Sequence, residues 1–248
     1  MVWIVVAVLL AALTGYVFAS GGSSMNIPRE PDREGMQDNE AAQAYDRVSR
    51  WRVFALSRSI VLRSLANMKP RGLLVDIGCG PGYLAARIGK RYSSLRVVGL
   101  DISGVMIKIA RRNWPLQRYG AQFLAGDAHY LPFHDNSVDF VLSSLSLHHW
   151  SNAAVVFREI NRVLKPGGQL LVFDLRRDAP RLFYYMLRLG QAWLAPGAIR
   201  RTNGAVGSFW ASYTVSELEA MLSEIQLCEW QVKKRLGWIT IYGVKVEK

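Results

Sequence analysis

The chain has 248 residues, of which half are hydrophobic and a fifth are charged, and its formal net charge is +12. This composition excludes an intrinsically disordered protein, and the length suits one sizeable α/β domain. The charge is typical of proteins that associate with nucleic acid or an anionic membrane surface, but the basic residues are spread out and their longest run is 233–235. Cys79 and Cys228 are too few for a disulfide framework or a cysteine metal cluster, so no metal site is predicted.

The N-terminal segment is apolar and lacks charge before Arg29. Residues 2–19 are long enough to cross a bilayer as a helix. A cleaved signal peptide would explain the small residues before position 20, but signal peptides normally begin with a basic region. Arg29 and Arg33 follow the apolar run and favour an uncleaved anchor with a cytosolic body. We therefore expect a single-pass anchor over residues 1–22, which contacts the membrane through residues 1–20.

A polar linker over residues 23–38 precedes a domain over residues 39–248. Apolar residues recur at helical spacing from Asn39 to Asn67, which predicts one long helix ended by Pro70 and Gly72. Strand-like and helix-like pieces then alternate, which predicts right-handed crossovers and a mostly parallel, doubly wound sheet. The predicted strands are 73–78, 96–101, 121–127, 137–145 and 168–175, and the predicted helices are 82–92, 104–114 and 152–164.

The C-terminal part departs from this alternation. Residues 176–213 form an insertion rich in aromatic residues after the fifth strand. Thr214 and Glu217 have the spacing of a capping box, which predicts a helix start. Two final strands, 229–234 and 238–246, have a short connection and are predicted to be antiparallel neighbours.

The sequence "LLVDIGCGPGYLA" (73–85) carries the strongest chemical signal. Its alternating glycines follow a strand, where a doubly wound sheet binds its ligand. A P-loop would require Gly-Lys-Ser/Thr, but Gly82 is followed by Tyr83. Tyr83 also replaces the third glycine of a dinucleotide loop. Asp76 would repel a pyrophosphate, so the loop favours a ligand with positive charge.

At this motif the chain resembles the class I S-adenosylmethionine-dependent methyltransferases, whose first motif is an acid followed by Gly-x-Gly-x-Gly. "DIGCGPG" matches it in full. The resemblance extends from about Tyr45 to Asp174, and it looks closest to the small-molecule and lipid branch that includes quinone-biosynthesis enzymes. It implies S-adenosyl-L-methionine as cofactor and a Rossmann-like, seven-stranded, mostly parallel sheet with an antiparallel C-terminal strand.

The resemblance also implies roles for individual residues. Asp101 would bind the ribose hydroxyls, Ile102 and Met106 would flank the adenine, Asp127 would lie near its amino group with Ala128 alongside, and Ser143 and Ser144 would lie beneath the methionine part. Tyr45 matches an aromatic position in a helix that closes over the cofactor. The expected cofactor-binding residues are Tyr45, Asp76, Gly78, Cys79, Gly80, Gly82, Asp101, Ile102, Met106, Asp127, Ala128 and Ser143.

The methyl acceptor is less clearly indicated. His148 follows the fourth strand and is the candidate catalytic base, although a histidine that structures the loop is an alternative; His129 and His134 lie on a neighbouring loop. The insertion 176–213 is expected to shape the acceptor pocket as a cap. Its first helix would either pack on the domain or lie on the bilayer.

These observations predict methyl transfer to a small, hydrophobic or lipid-like acceptor at the membrane. An RNA-modifying methyltransferase is an alternative prompted by the charge, but no separate RNA-binding module is evident. A scaffold that binds the cofactor without turnover is a second alternative. The sequence indicates no obligate protein partner.

Overall fold

The computed structural model describes residues 27–30, 38–201, 204–225 and 228–246. A seven-stranded sheet has the order β3-β2-β1-β4-β5-β7-β6. The strands are β1 (Leu73–Ile77), β2 (Arg96–Asp101), β3 (Ala121–Ala125), β4 (Val138–Ser144), β5 (Leu164–Leu175), β6 (Cys228–Lys234) and β7 (Trp238–Lys245). The helices are α1 (Asn39–Ser49), α2 (Arg52–Met68), α3 (Tyr83–Arg91), α4 (Gly104–Asn113), α5 (Leu116–Tyr119), α6 (Ala153–Val163), α7 (Arg181–Leu194), α8 (Gly197–Arg201), α9 (Gly204–Ala211) and α10 (Val215–Glu224), with a 3-10 helix at Leu147–His149.

The sheet confirms the predicted class. Strands β1 to β5 pair in parallel, and β7 runs antiparallel to both β5 and β6. The central strands are continuous apolar runs because helices cover both faces, so that Leu74, Val141 and Leu171 are fully buried. Strand order reverses between β1 and β4, which places a ligand crevice at the carboxyl end of β1.

The predicted single helix over residues 39–67 is wrong, because the structure contains two helices. The chain turns at Arg50 and Trp51, and Trp51 adopts an extended conformation (ψ 156°) before α2. Arg58 stabilises the break by donating from Nη1 to the carbonyl oxygen of Ser49 over 2.8 Å. The break folds α2 back on α1, which brings the rings of Tyr45 and Phe54 into edge contact at 6.0 Å.

The insertion after β5 folds into α7, α8 and α9. Helix α9 packs against the 3-10 helix, and α8 packs against α1. Ala198 and Ile199 of α8 are buried with Ala44 of α1. The cap therefore lies at the ligand edge of the sheet, where it meets the N-terminal helix. The predicted capping box at Thr214 and Glu217, which begins α10, is confirmed.

Four residues of the predicted linker lie on the domain. The carbonyl oxygen of Ile27 accepts a 2.6 Å hydrogen bond from Arg177 Nε, and Glu30 N donates to the carbonyl oxygen of Trp210 over 3.1 Å. Among the described residues, no helix is both long and apolar enough to span a membrane. The predicted anchor, residues 1–22, lies outside the described residues.

Candidate active site

The glycine loop begins where β1 ends. Gly78 has φ +71°, and a Cβ there would lie 1.9 Å from Ser146 Oγ, so only glycine fits. Gly78 N and Cys79 N both donate to the carbonyl oxygen of Leu100, over 2.7 and 3.0 Å. These bonds fix the loop to the end of β2.

Asp101 holds the loop open from the neighbouring strand. Its carboxylate accepts hydrogen bonds from Gly80 N (2.8 Å) and Ser103 N (2.9 Å). Burial raises the pKa of Asp101, and the two backbone N–H groups partly oppose this shift. A Cβ on Gly80 would have Tyr45 as its nearest neighbour, at 3.7 Å. The space between the loop and α1 is therefore open at Gly80.

The third glycine serves packing. Gly82 has φ +80°, and a Cβ there would lie 2.7 Å from the Phe123 ring and 3.0 Å from Trp114. Gly82 begins α3 and lets the helix approach β3 closely. Phe123 and Trp114 thus surround Gly82, whereas the resemblance implies that Gly82 contacts the cofactor.

Asp76 is the least compensated acid in the described site. It is 1 % exposed, and its Oδ2 has no hydrogen-bond partner. Burial and, secondarily, the nearby charge of Asp101 raise the pKa of Asp76 to about 8. An unpartnered carboxyl oxygen of this kind favours a ligand that brings a cation or a hydrogen-bond donor.

Arg58, which sequence reasoning missed, lies in the same cleft. Its side chain is buried, and its Nε has no hydrogen-bond partner. Burial and, secondarily, the charge of Arg87 lower the pKa of Arg58. No ion pair joins Arg58 to Asp76 in the described part of the chain, so each charge remains uncompensated by the other. Their cleft is lined by Tyr45, Ser49, Phe54, Ser57, Arg58, Asp76, Gly78, Cys79, Pro81, Tyr83, Leu84, Ser144 and Leu145.

Tyr83 connects the loop to the helix above it. Its hydroxyl donates to Asp46 Oδ1 (3.1 Å) and accepts from Arg50 Nε (2.6 Å). Asn113 Nδ2 donates to the same carboxylate over 3.0 Å. Burial and, secondarily, Asp46 raise the pKa of the Tyr83 phenol. Tyr83, which in the sequence argues against a dinucleotide-binding loop, therefore holds α1 over the cleft. Tyr45 lies on this helix.

The predicted adenine side is only partly assembled. Ile102 is 63 % exposed at the sheet edge, whereas Met106 is buried with Ala42 and Ile109 beneath α1. That Ile102 and Met106 flank the adenine stays a prediction; in this structure α1 covers Met106.

Asp127 and Ala128 lie on the loop after β3. Asp127 Oδ1 accepts from His129 N (2.9 Å) and contacts His129 Nδ1 at 2.7 Å. Burial raises the pKa of Asp127, but the bonds to His129 outweigh it, so the net shift is downward. Ala128 is partly buried against the main core. His129 thus fixes the orientation of the Asp127 carboxylate.

The two serines expected from the fourth strand have different surroundings. Ser143 is fully buried and donates from Oγ to the carbonyl oxygen of Ile77 over 3.0 Å, so its hydroxyl is used in joining β4 to β1. Ser144 lines the cleft instead. Leu145, also in the lining, has φ +56°, an uncommon conformation for leucine that is often found at functional sites.

His148 is not placed as a base facing this cleft. It is 3 % exposed, and its Nδ1 contacts Asp174 Oδ1 at 2.6 Å. His148 N also donates to Asp174 Oδ2 over 3.1 Å. His148 therefore ties the 3-10 helix to the end of β5, while its exposed neighbour His149 lies against it with ring centroids 4.1 Å apart. A catalytic role of His148 stays a prediction, and its ring lies in the interior of this structure.

Comparison with known proteins agrees with this site. Residues 75–172 match the family model described as "Methyltransferase domain". Residues 75–172, about two fifths of the chain, are thus similar to a methyltransferase domain. This match contains the glycine loop, Asp101 and the loop of Asp127.

Two relatives show the breadth of this methyltransferase domain. A malonyl-[acyl-carrier protein] O-methyltransferase of Legionella pneumophila is 30 % identical over 168 residues, which cover 65 % of this chain and 54 % of the relative. A demethylmenaquinone methyltransferase of Thermotoga maritima is 31 % identical over 137 residues, which cover 54 % of this chain and 58 % of the relative. The chain thus spans little more than half the length of these curated relatives.

A solved structure supports the fold of the methyltransferase domain. A protein of Methanococcus maripaludis described as an S-adenosyl-L-methionine-dependent methyltransferase superposes with a TM-score of 0.66 at 24 % identity. The superposition covers 88 % of this chain and 98 % of the other.

Proposed function

We propose that this chain transfers a methyl group from S-adenosylmethionine to a small hydrophobic acceptor. The observation that carries the proposal is the cleft beneath the glycine loop, where Asp76 and Arg58 are both buried and incompletely partnered. An uncompensated buried charge is costly, so such a cleft suits a ligand with both an ammonium and a carboxylate. The amino-acid end of S-adenosylmethionine carries these two groups.

The protein's part is to bind and align. Asp76 would hold the amino group, Arg58 the carboxylate and Asp101 the ribose hydroxyls, while Tyr45 covers the open side at Gly80. The bound donor supplies an electrophilic methyl group on a sulfonium. The protein lowers the barrier mainly by holding the nucleophile close and in line with this carbon.

The acceptor is assigned from the cap. The rings of Tyr184, Phe209 and Trp210 form a cluster, with Tyr184 5.4 Å from Phe209 and 6.4 Å from Trp210. Helix α9 carries this cluster next to the 3-10 helix that follows β4. An aromatic cluster at this edge favours an apolar acceptor, such as a quinone precursor or a lipid. Because His148 is bonded to Asp174 in the interior, we propose that it positions the 3-10 helix.

We further propose a single-pass membrane location with the domain in the cytosol. The support is the sequence of residues 2–19, which is apolar over the length of a membrane span, followed by Arg29. A hydrophobic acceptor would then be taken from the bilayer in which the chain is held.

The test is methyl transfer from S-adenosylmethionine labelled in its methyl group, with three acceptor pools: a membrane lipid extract, water-soluble metabolites and total RNA. We expect label in the lipid pool and none with Asp101→Ala, which loses the contact expected for the ribose. Label only in the metabolite pool would contradict the hydrophobic acceptor. Label in RNA, with binding that weakens steeply as salt rises, would establish the RNA alternative.

The scaffold alternative makes a separate prediction. It requires cofactor binding by calorimetry without labelled product in any pool. Absence of both binding and product in the folded wild-type chain would contradict the methyltransferase proposal itself.

A further inference from the structure

Helix α7 exposes an apolar surface. Tyr185, Met186, Leu189 and Trp193 are 52, 39, 61 and 84 % exposed, and we call these four residues the outer face. At 100° per residue they lie within an arc of about 100° on one side of the helix. No residue of α7 is fully buried. A contiguous apolar surface of this kind indicates an interaction site.

The orientation of α7 is fixed by its opposite side. The Phe183 ring lies so close to Gly237 that a Cβ there would be 2.1 Å from it. Tyr184 packs on Phe209 and Trp210, and Gln191 Oε1 accepts from Val206 N over 2.9 Å. These contacts hold α7 on the domain by its inner side, so the outer face is exposed.

The charged residues of the segment that carries the outer face have one sign. Residues 179–213 contain four arginines and no aspartate or glutamate. Arg201 pairs with Glu40. Arg181 and Arg188, which lie on α7 beside the outer face, have no acidic partner in the described part of the chain. Apolar side chains flanked by arginines are typical of a helix that lies in the interface of an anionic bilayer.

The N-terminal residues place this surface near the predicted anchor. Ile27 is hydrogen-bonded to Arg177, which lies four residues before the start of α7. Glu30 is hydrogen-bonded to the backbone of Trp210, and the Trp210 ring stacks on Tyr184. Four residues lie between positions 22 and 27, and the five Cα–Cα steps of a fully extended chain span about 18 Å. An anchor that ends at residue 22 therefore keeps α7 within reach of the membrane surface.

We propose that the outer face of α7 docks on the surface of an anionic lipid bilayer. The proposal rests on the membrane location proposed above and deepens it, because docking places the cap, with the aromatic cluster beneath α7, next to the lipid. A hydrophobic acceptor then passes from the bilayer to the site without crossing water.

Fluorescence quenching by brominated lipid tests this contact directly. The full chain is placed in vesicles of phosphatidylcholine mixed with phosphatidylglycerol, and quenching is compared between wild type, Trp193→Phe and Trp51→Phe. Trp51 is the matched control, because it is also exposed (38 %) but lies between α1 and α2, away from α7. We expect Trp193→Phe to lose quenched amplitude and Trp51→Phe to retain it. Equal amplitude in the two variants would overturn the proposal.

A second comparison tests the role of charge. Arg181→Gln and Arg188→Gln should each shift the docking equilibrium about fivefold toward the free helix. Quenching of Trp193 that is equal in neutral and anionic vesicles would overturn the anionic surface. Cross-linking of the outer face to a second copy of the chain, without lipid quenching, would assign the surface to a dimer instead.

Failure of the docking proposal in these two tests can be distinguished from failure of the proposed function. Trp193→Phe leaves the cofactor cleft unchanged, so S-adenosylmethionine binding should be equal in wild type and variant. A chain that docks but fails to bind the cofactor would contradict the function and leave the docking surface intact.

Discussion

The cofactor cleft and the cap are built in opposite ways. Around the cleft, the backbone approaches its neighbours so closely that Gly78 has no room for a Cβ, and two charged side chains are buried. In the cap, no residue of α7 is fully buried, and its contacts are made by aromatic rings and one side-chain hydrogen bond of Gln191. The cleft therefore tolerates little change in the size or charge of its side chains, whereas α7 in the cap requires only apolar side chains of suitable size. Substitutions should therefore be severe in the cleft and mild on the cap.

Gly78→Ala should have the largest effect. The new Cβ would lie 1.9 Å from Ser146 Oγ in a backbone with φ +71°, so the loop must move or the protein must unfold. We expect a clear fall in the thermal midpoint and loss of S-adenosylmethionine binding, measured by calorimetry.

Gly80→Ala is the matched control. It also has a positive φ (+51°), but a Cβ there would meet no described atom closer than 3.7 Å. This variant should keep most of its thermal stability and lose affinity, since the methyl group enters the open space of the cleft. If both variants had the same stability, the loop would not be packed as described.

Arg58→Gln should weaken cofactor binding about tenfold or more, because it removes a charge-assisted hydrogen bond. The specific measurement is the ratio of the affinities for two ligands, S-adenosylmethionine and its decarboxylated analogue. Wild type should prefer the ligand with the carboxylate, and Arg58→Gln should lose that preference. Arg52→Gln, at an exposed position of the same helix, should retain it. Equal preference in wild type and Arg58→Gln would remove Arg58 from the carboxylate site.

The sequence predicted the cleft better than the cap for a physical reason. Asp76 and Gly78 belong to one local motif, and Asp101 ends the next predicted strand, so parallel pairing of the two strands predicts that they meet at the ends of β1 and β2. Arg58 comes from another helix, and only tertiary packing brings it to the cleft. A signal did exist, because Arg58 shares the spacing of the apolar residues Phe54, Val61 and Leu65.

The contacts that the sequence did not predict have a similar origin. The break between α1 and α2 depends on Arg58 bonding to Ser49, a contact that helical periodicity does not report. His148 was proposed as a base from its place after β4, and its contact with Asp174 is likewise one that residue order does not report. Residue type and order therefore predicted the sheet and its ligand edge, whereas side-chain direction required the packed structure.

Leu189→Ala should have the smallest effect. Leu189 is 61 % exposed on the outer face of α7, so the free energy of unfolding in detergent solution should change by about 0.5 kcal/mol or less. Leu65→Ala, at a fully buried position of α2, should cost about 2–5 kcal/mol. Chemical denaturation measures both. A large loss for Leu189→Ala would show that the cap is packed as tightly as the cleft.

The pKa of Asp76 links the cleft to pH. Its rise from the ordinary 3.8 to about 8 means that the folded state binds a proton more tightly than the unfolded chain. The associated stability is fully present below about pH 4 and is lost as the pH rises through about 8. Asp76→Asn should remove this part of the pH dependence of the unfolding free energy.

Proton release on cofactor binding tests the central claim most directly. At pH 7 a carboxyl group with a pKa of about 8 is about 90 % protonated, and an ammonium group at Asp76 would favour its ionised form. Calorimetry in buffers of different ionisation enthalpy should therefore show release of nearly one proton, with affinity that increases from pH 6 to pH 8. Asp76→Asn should abolish both effects. S-adenosylmethionine binding without proton release, or with release unchanged in Asp76→Asn, would contradict the account.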